Sequence, residues 1–158
     1  MEKVVFLICV LAVTVYLAVA AWEDHKSCEV TRWKHLIGGI PAIFFFVINS
    51  LRHGWEENTI ILAFSLMYIV IGYAGIYGFA DGLVLAILVL FFGSIGGVIG
   101  SGAVLLIMLL ASFSFLICHL VKCAAENKKI TGSIAGALVP HILVGYLIVS
   151  AVMIMYIL

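Results

Sequence analysis

Two aspartates are the residues most able to do chemistry, because they are the only two in a chain of 158 residues that is 66% hydrophobic. Asp24 follows the apolar run 4–21, and Asp81 lies between the apolar runs 60–80 and 82–99. An aspartate costs roughly 2.5–3.5 kcal/mol at the centre of a membrane helix, so membrane proteins usually keep one for a function. If these two carboxyl groups lie close together, they cannot both ionise easily and would share one proton.

A shared proton provides an acid and a base in one site. The ionised carboxylate takes a proton from a water molecule that attacks a peptide carbonyl, while the protonated partner polarises the carbonyl oxygen. This is the chemistry of an aspartic peptidase, and it needs no cofactor and no metal. We therefore predict Asp24 and Asp81 as a catalytic pair, provided that the fold brings them together.

Each aspartate also has a plainer interpretation. Asp24 stands among charged neighbours, Glu23 and Lys26, and such a residue is most often a solvated loop residue. Asp81 is far from other charges along the chain, but it follows a glycine-rich stretch and could be a polar hinge at a helix turn.

The composition is that of an integral membrane protein, since only 10% of the residues are charged. A formal net charge of zero, without a basic tract, gives no indication of nucleic-acid binding. A membrane-spanning helix needs on the order of 20 residues. Apolar runs predict one all-α membrane domain, residues 1–158, which is a bundle of six transmembrane helices at about 4–21, 35–49, 60–77, 83–99, 104–120 and 134–158. The fourth and fifth are separated by a predicted turn at Gly100-Ser101-Gly102.

The positions of Lys and Arg predict the orientation of these helices. The segments 22–34 and 121–133 each contain three such residues, which places both in the cytoplasm and both chain termini outside. Two predicted helices separate Asp24 from Asp81, so the chain leaves the cytoplasmic face and returns to it. Both aspartates are therefore expected at the same membrane face.

Three sequence patterns resemble one known family. Gly-Phe-Ala-Asp at 78–81 resembles the GxGD motif of membrane aspartic peptidases, and Gly-Leu-Val-Leu-Ala at 82–86 is similar to its continuation in type IV prepilin and preflagellin peptidases. Segment 24–33 keeps the Asp, the basic residue, the β-branched residue and the Trp of that family's pattern D-x-[RK]-x-x-x-[IV]-P-N-W, without its Pro-Asn. Pro140 and Gly145 match a spacing common near the family's C-terminus.

The resemblance implies an enzyme of the prokaryotic plasma membrane with its active site facing the cytoplasm. It would remove the short basic leader of pilin-type or flagellin-type precursors at the membrane edge. Asp24 and Asp81 would be the catalytic dyad, Gly78 would let the backbone approach the scissile segment, and Ala80 would keep the second glycine position small. Many bacterial members carry an additional cytoplasmic domain with paired cysteine motifs and also methylate the new N-terminus. No such cysteine motif occurs in this sequence, so N-methylation is not expected.

Further predictions concern the leader and the alternatives. Glu23 and Glu29 are candidates to contact a basic leader, whereas the histidines show no metal-binding spacing and predict no metal site. The main alternative is a small transporter or channel in which Asp81 couples an ion or a proton, although no inverted repeat is evident between the two halves of the chain. A second alternative is an inactive homologue that only binds pilin-like helices.

Overall fold

All regular structure in the described part of the chain is α-helical, which confirms the predicted all-α class. The computed structural model describes residues 2–27, 30–53, 55–75, 78–125 and 137–157. Within these ranges it has five helices: α1 Glu2–Ser27, α2 Arg32–His53, α3 Trp55–Tyr73, α4 Phe79–Ala125 and α5 Val139–Ile157.

Three of these helices are long and apolar enough to cross a membrane, and they are α1 over Phe6–Ser27, α2 over Trp33–Leu51, and α4. The shorter α5 is apolar over Val139–Met155. Apolar residues lie on both the outer and the inner face of α1. Ile8 and Leu11 on the outer face are 61% and 64% exposed, whereas Val13 and Leu17 on the inner face are fully buried. A helix that is apolar on both its inner and outer faces is typical of a protein surrounded by lipid.

Helix α4 is broken at Gly96 and Gly97, and the chain turns back there. Gly97 has φ +60° and ψ −142°, a backbone conformation that residues with a side chain rarely adopt. A Cβ atom placed on Gly93 would lie 2.7 Å from the Oγ of Ser101, whereas residues eight apart in a straight helix are about 12 Å apart. The two arms, α4a (79–95) and α4b (98–125), therefore form a helical hairpin.

This break corrects the predicted position of the turn. Gly100-Ser101-Gly102 is helical, and the reversal lies about one helical turn earlier. Glu57, at the start of α3, contacts the break from outside the hairpin: its Oε1 accepts the N–H of Val98 at 3.1 Å. That amide is at the first turn of α4b, where backbone N–H groups have no partner within the helix.

The helices alternate in direction along the bundle. Two contacts show that α3 and α4a are antiparallel. Glu57, early in α3, bonds to Val98 after the end of α4a, and Ser65, later in α3, donates to the carbonyl of Ala86, earlier in α4a, at 3.2 Å. The hydroxyl of Tyr146 donates to the carbonyl of Val10 at 3.0 Å, in an antiparallel pair of α1 and α5. Consequently α1 and α3 end where α2, α4a and α5 begin, and we call this the aspartate end of the bundle.

Arm α4a is the central helix. Most of its residues from 82 to 94 are buried. The ring of Phe91 packs against Phe45 of α2, and the ring of Phe92 packs against Tyr146 of α5, with centroids 6.1 Å and 5.9 Å apart. Asp81 precedes this buried run directly, so a well-packed helix fixes its position.

Candidate functional site

Asp24 lies in the last turn of α1, not in a loop. The helix continues to Ser27 and α2 begins at Arg32, so most of the segment that we predicted as polar loop is helical. The side chain of Asp24 is only 5% exposed, and its Oδ2 accepts the N–H of Val139 at 2.9 Å. The interpretation of Asp24 as a solvated residue is therefore wrong.

The partner of Asp24 explains its burial. Val139 is the first residue of α5, so the carboxylate caps the N-terminus of a helix that begins 115 residues later in the chain. Capping satisfies backbone donors that have no partner within the helix, and the positive end of the helix dipole favours a negative charge there. Nothing in the sequence around Asp24 indicates this contact.

Asp81 occupies the first turn of α4a. It is the third residue of the helix, and its Oδ2 accepts the N–H of Gly78 at 3.1 Å, while the carbonyl of Gly78 accepts the N–H of Gly82. An acidic side chain that reaches back to the residue before the helix is half of a capping box. Asp81 thus starts its own helix, and it is partly buried.

The motif residues around Asp81 are arranged to fit this carboxylate. A Cβ atom on Gly78 would lie 2.9 Å from the Oδ2 of Asp81, closer than side chains normally approach, so the absence of a side chain leaves room for the carboxylate. Ala80 is partly buried and packs against the core. Gly78 and Phe79 are exposed, which leaves the backbone before Asp81 open to a second molecule.

The structure places both aspartates at the aspartate end of the bundle. They lie close enough for the charge of Asp24 to act on Asp81. Each carboxylate also faces the N-terminus of a helix, α5 for Asp24 and α4a for Asp81. Two positive helix ends near a pair of acids favour one negative charge in the site, while the proximity of the acids disfavours a second.

Of the two residues predicted to contact a leader, only Glu23 is described. Its Oε2 accepts the N–H of Thr31 at 3.0 Å and pairs with the Nζ of Lys34 at 2.8 Å, and its Oε1 accepts the Thr31 hydroxyl at 2.5 Å. Glu29 lies outside the described residues. Glu23 therefore joins the end of α1 to the start of α2.

Sequence reasoning did not identify a buried polar pair between α1 and α2. The hydroxyl of Tyr16 and the Nδ1 of His35 are 2.7 Å apart, and both side chains are buried. A tyrosine and a histidine 19 residues apart give no signal of this contact. Among the residues that the structure describes, there is no group of three or more His, Cys, Asp and Glu side chains that could hold a metal ion.

The site therefore consists of two carboxylates, the helix N-termini that they cap, and an open backbone segment at 78–79. No protein-family model, curated protein or solved structure matches this chain. Its function must be inferred from its own residues and geometry.

Proposed function

We propose that this protein is a membrane aspartic endopeptidase that removes the basic leader of pilin-type or flagellin-type precursors. The observation that supports it best is that Asp24 and Asp81 lie at the same end of an apolar helical bundle, close enough for the charge of Asp24 to act on Asp81. The second support is the resemblance of residues 78–86 and 24–33 to the motifs of the prepilin and preflagellin peptidases.

The proposed topology has six membrane crossings, with α4a and α4b counted separately and both termini outside. The alternating helix directions support this arrangement. Lys26, Lys34 and Lys122 all fall at the aspartate end, as expected for a cytoplasmic face. Trp22 and Trp33, at the same end, are 65% and 57% exposed, which suits side chains at the depth of the lipid headgroups. The dyad would then work at the membrane edge of a prokaryotic plasma membrane.

In the proposed mechanism the two aspartates have different roles. Asp24 accepts the N–H of Val139 at the N-terminus of α5, so it is suited to carry the negative charge and to take a proton from the attacking water. Asp81 would hold the shared proton and donate a hydrogen bond to the scissile carbonyl oxygen. The water oxygen bonds to the carbonyl carbon, and the C–N bond breaks as the amine nitrogen receives a proton from the dyad.

The open segment before Asp81 is the proposed approach for the substrate backbone. Tyr73 is 84% exposed and Phe79 is 42% exposed, and a Cβ atom on Gly75 would meet none of the described residues within 4 Å. An extended peptide that follows a basic leader could lie there with its carbonyl facing the dyad.

The direct test is cleavage by the purified full chain in liposomes. The substrate is a synthetic precursor with a short basic leader followed by a pilin-like hydrophobic helix. We expect mass spectrometry to find one cut, immediately before the hydrophobic helix, that is unaffected by a metal chelator. Binding of the precursor without cleavage would instead favour the inactive pilin-binding alternative.

The topology gives an independent prediction. In a variant without its native cysteines, we expect Lys26→Cys and Phe79→Cys to resist a membrane-impermeant maleimide in intact cells and to react after the cells are opened. Glu56→Cys, at the opposite end of the bundle, should react in intact cells. Labelling of positions 26 and 79 from opposite faces would rule out a dyad.

Gly78→Ala should lower cleavage because its Cβ atom would push the Asp81 carboxylate away from the Gly78 amide. We expect kcat to fall by roughly tenfold or more, since small displacements of a catalytic group are costly. Gly102→Ala is the matched control, because a Cβ atom there would meet nothing within 4 Å. Equal kcat values for the two variants would contradict this role of Gly78.

The position of the break in α4 weighs against the transporter alternative. In many transporters broken helices point their ends at the coupling site. Here the break at Gly96 and Gly97 is 15 residues after Asp81, roughly 20 Å along the helix. The N–H of Val98, just after the break, has no partner within the helix and donates instead to Glu57.

A further inference from the structure

Glu23 uses both oxygens of its carboxylate within the protein. The Thr31 amide and hydroxyl and the Lys34 ammonium bind it at 3.0, 2.5 and 2.8 Å. Thr31 immediately precedes α2, and Lys34 lies in its first turn. The three residues form a clamp, Glu23–Thr31–Lys34, between the end of α1 and the start of α2.

The clamp determines the orientation of the last turn of α1. Successive residues of a helix point about 100° apart, so Glu23 and Asp24 project in different directions from the same turn. Glu23 reaches α2, while Asp24 reaches the N-terminus of α5. Fixing one side chain therefore restrains the rotation of the turn and with it the direction of the other.

Charge also argues against a leader-binding role for Glu23. The side chains of Glu23 and Lys34 are only 23% and 21% exposed, and each neutralises the other. A basic leader would have to displace Lys34 and break two hydrogen bonds to Thr31 before it could reach the carboxylate.

We propose that Glu23 is a positioning residue for Asp24, acting through the clamp to Thr31 and Lys34. For catalysis this inference rests on the proposed function, but the coupling of Glu23 to the Asp24–Val139 contact is a property of the fold alone. It replaces the sequence-based prediction that Glu23 reads the leader.

Steady-state kinetics separates the two roles of Glu23, because they predict opposite effects of Lys34→Met. If Glu23 positions Asp24, Glu23→Gln and Lys34→Met should each lower kcat by roughly tenfold and leave KM within about twofold. If Glu23 binds the leader, Lys34→Met would free the carboxylate and lower KM for a basic leader. That result, or a rise in KM alone in Glu23→Gln, would overturn the positioning role.

Hydrogen exchange at Val139 tests the coupling without any substrate. The Val139 amide is the group that Asp24 holds, so its exchange rate reports the position of that carboxylate. In the full chain in nanodiscs, we expect Glu23→Gln and Lys34→Met to accelerate exchange at Val139 by about tenfold.

Lys26→Met is the matched control, because it removes a lysine from the same helix end. Its Nζ lies 4.4 Å from the centre of the Trp22 ring and is not part of the clamp. We expect it to leave hydrogen exchange at Val139 unchanged. Unchanged exchange in both clamp variants, or equal acceleration in Lys26→Met, would overturn the inference; accelerated exchange without cleavage by the wild type would refute only the proposed function.

Discussion

Asp24→Asn and Asp81→Asn should each lower precursor cleavage by about a thousandfold or more, while the protein remains in the membrane at its normal level. An asparagine can neither take a proton from water nor donate one to the leaving amine. Loss of a general acid or base typically costs 10²–10⁴-fold, and both steps here depend on the same pair.

Asparagine is the informative substitution because each aspartate also caps a helix. The side-chain oxygen of an asparagine still accepts a backbone N–H group, so Asp24→Asn keeps the bond to Val139 and Asp81→Asn keeps the bond to Gly78. Alanine would remove the cap together with the acid. Loss of cleavage in the alanine variants alone, with activity kept in the asparagine variants, would show that the aspartates are only caps.

The measurement is the cleaved fraction of a co-expressed precursor, compared with the amount of full chain recovered in the membrane fraction. Glu56→Gln is the matched control, since it makes the same change from acid to amide at an exposed position at the opposite end of the bundle. We expect this variant to cleave as the wild type does. Processing that persists in both single asparagine variants would refute the dyad.

Hydropathy was sufficient to predict the all-α class and the presence of helices long and apolar enough to cross a membrane. The predicted spans 4–21, 35–49 and 104–120 lie within α1, α2 and α4b, whereas the predicted span 83–99 runs across the break at Gly96 and Gly97. The prediction that Asp24 and Asp81 lie at the same end came from counting two intervening spans, because each crossing reverses the chain. This part of the site depends only on length and charge, which are readable locally.

The long-range contacts could not be predicted, because the residues that make them carry no local signal. The burial of Asp24 depends on Val139, and the start of α4b depends on Glu57. In each case the partner is an ordinary backbone amide far away in the sequence. The polar residues 22–27 suggested a loop for the same reason: helix α1 is continued there by its contacts with α2 and α5.

The predicted position of the turn within α4 was wrong because the five glycines between residues 93 and 102 cannot be told apart by their sequence. They differ only in their surroundings in the fold. Gly97 adopts a positive φ, whereas Gly93 and Gly100 allow the two arms to approach closely. Gly96 and Gly102 would each tolerate a Cβ atom without a contact. Only the packing of the hairpin distinguishes these roles.

Gly100→Ala should therefore be strongly destabilising, although Gly100 itself has an ordinary helical backbone. A Cβ atom on Gly100 would overlap the backbone carbonyl of Phe92, which is fully buried in the central helix. A clash with backbone cannot be relieved by rotating a side chain, so the two arms must separate. We expect a loss of about 3 kcal/mol, at the upper end of the range for overpacked cores.

Gly102→Ala is the matched control, and its expected effect has the opposite sign. The position is exposed and helical, and the added Cβ atom would meet nothing within 4 Å. Replacing glycine by alanine within a helix gains about 0.5–1 kcal/mol. Thermal unfolding in detergent should then show a lower midpoint for Gly100→Ala, by on the order of 5–10 °C, and an unchanged or higher one for Gly102→Ala.

The hairpin links this stability prediction to the site. Arm α4a bears Asp81 at its start, and α5, whose N-terminus holds Asp24, packs on both arms: Phe92 contacts Tyr146, and a Cβ atom on Gly145 would lie 2.8 Å from the carbonyl oxygen of Ile107. Separation of the arms should displace α5 and its cap. Gly100→Ala should thus also accelerate hydrogen exchange at Val139. A lower unfolding midpoint with unchanged exchange at Val139 would mean that the hairpin is uncoupled from the site.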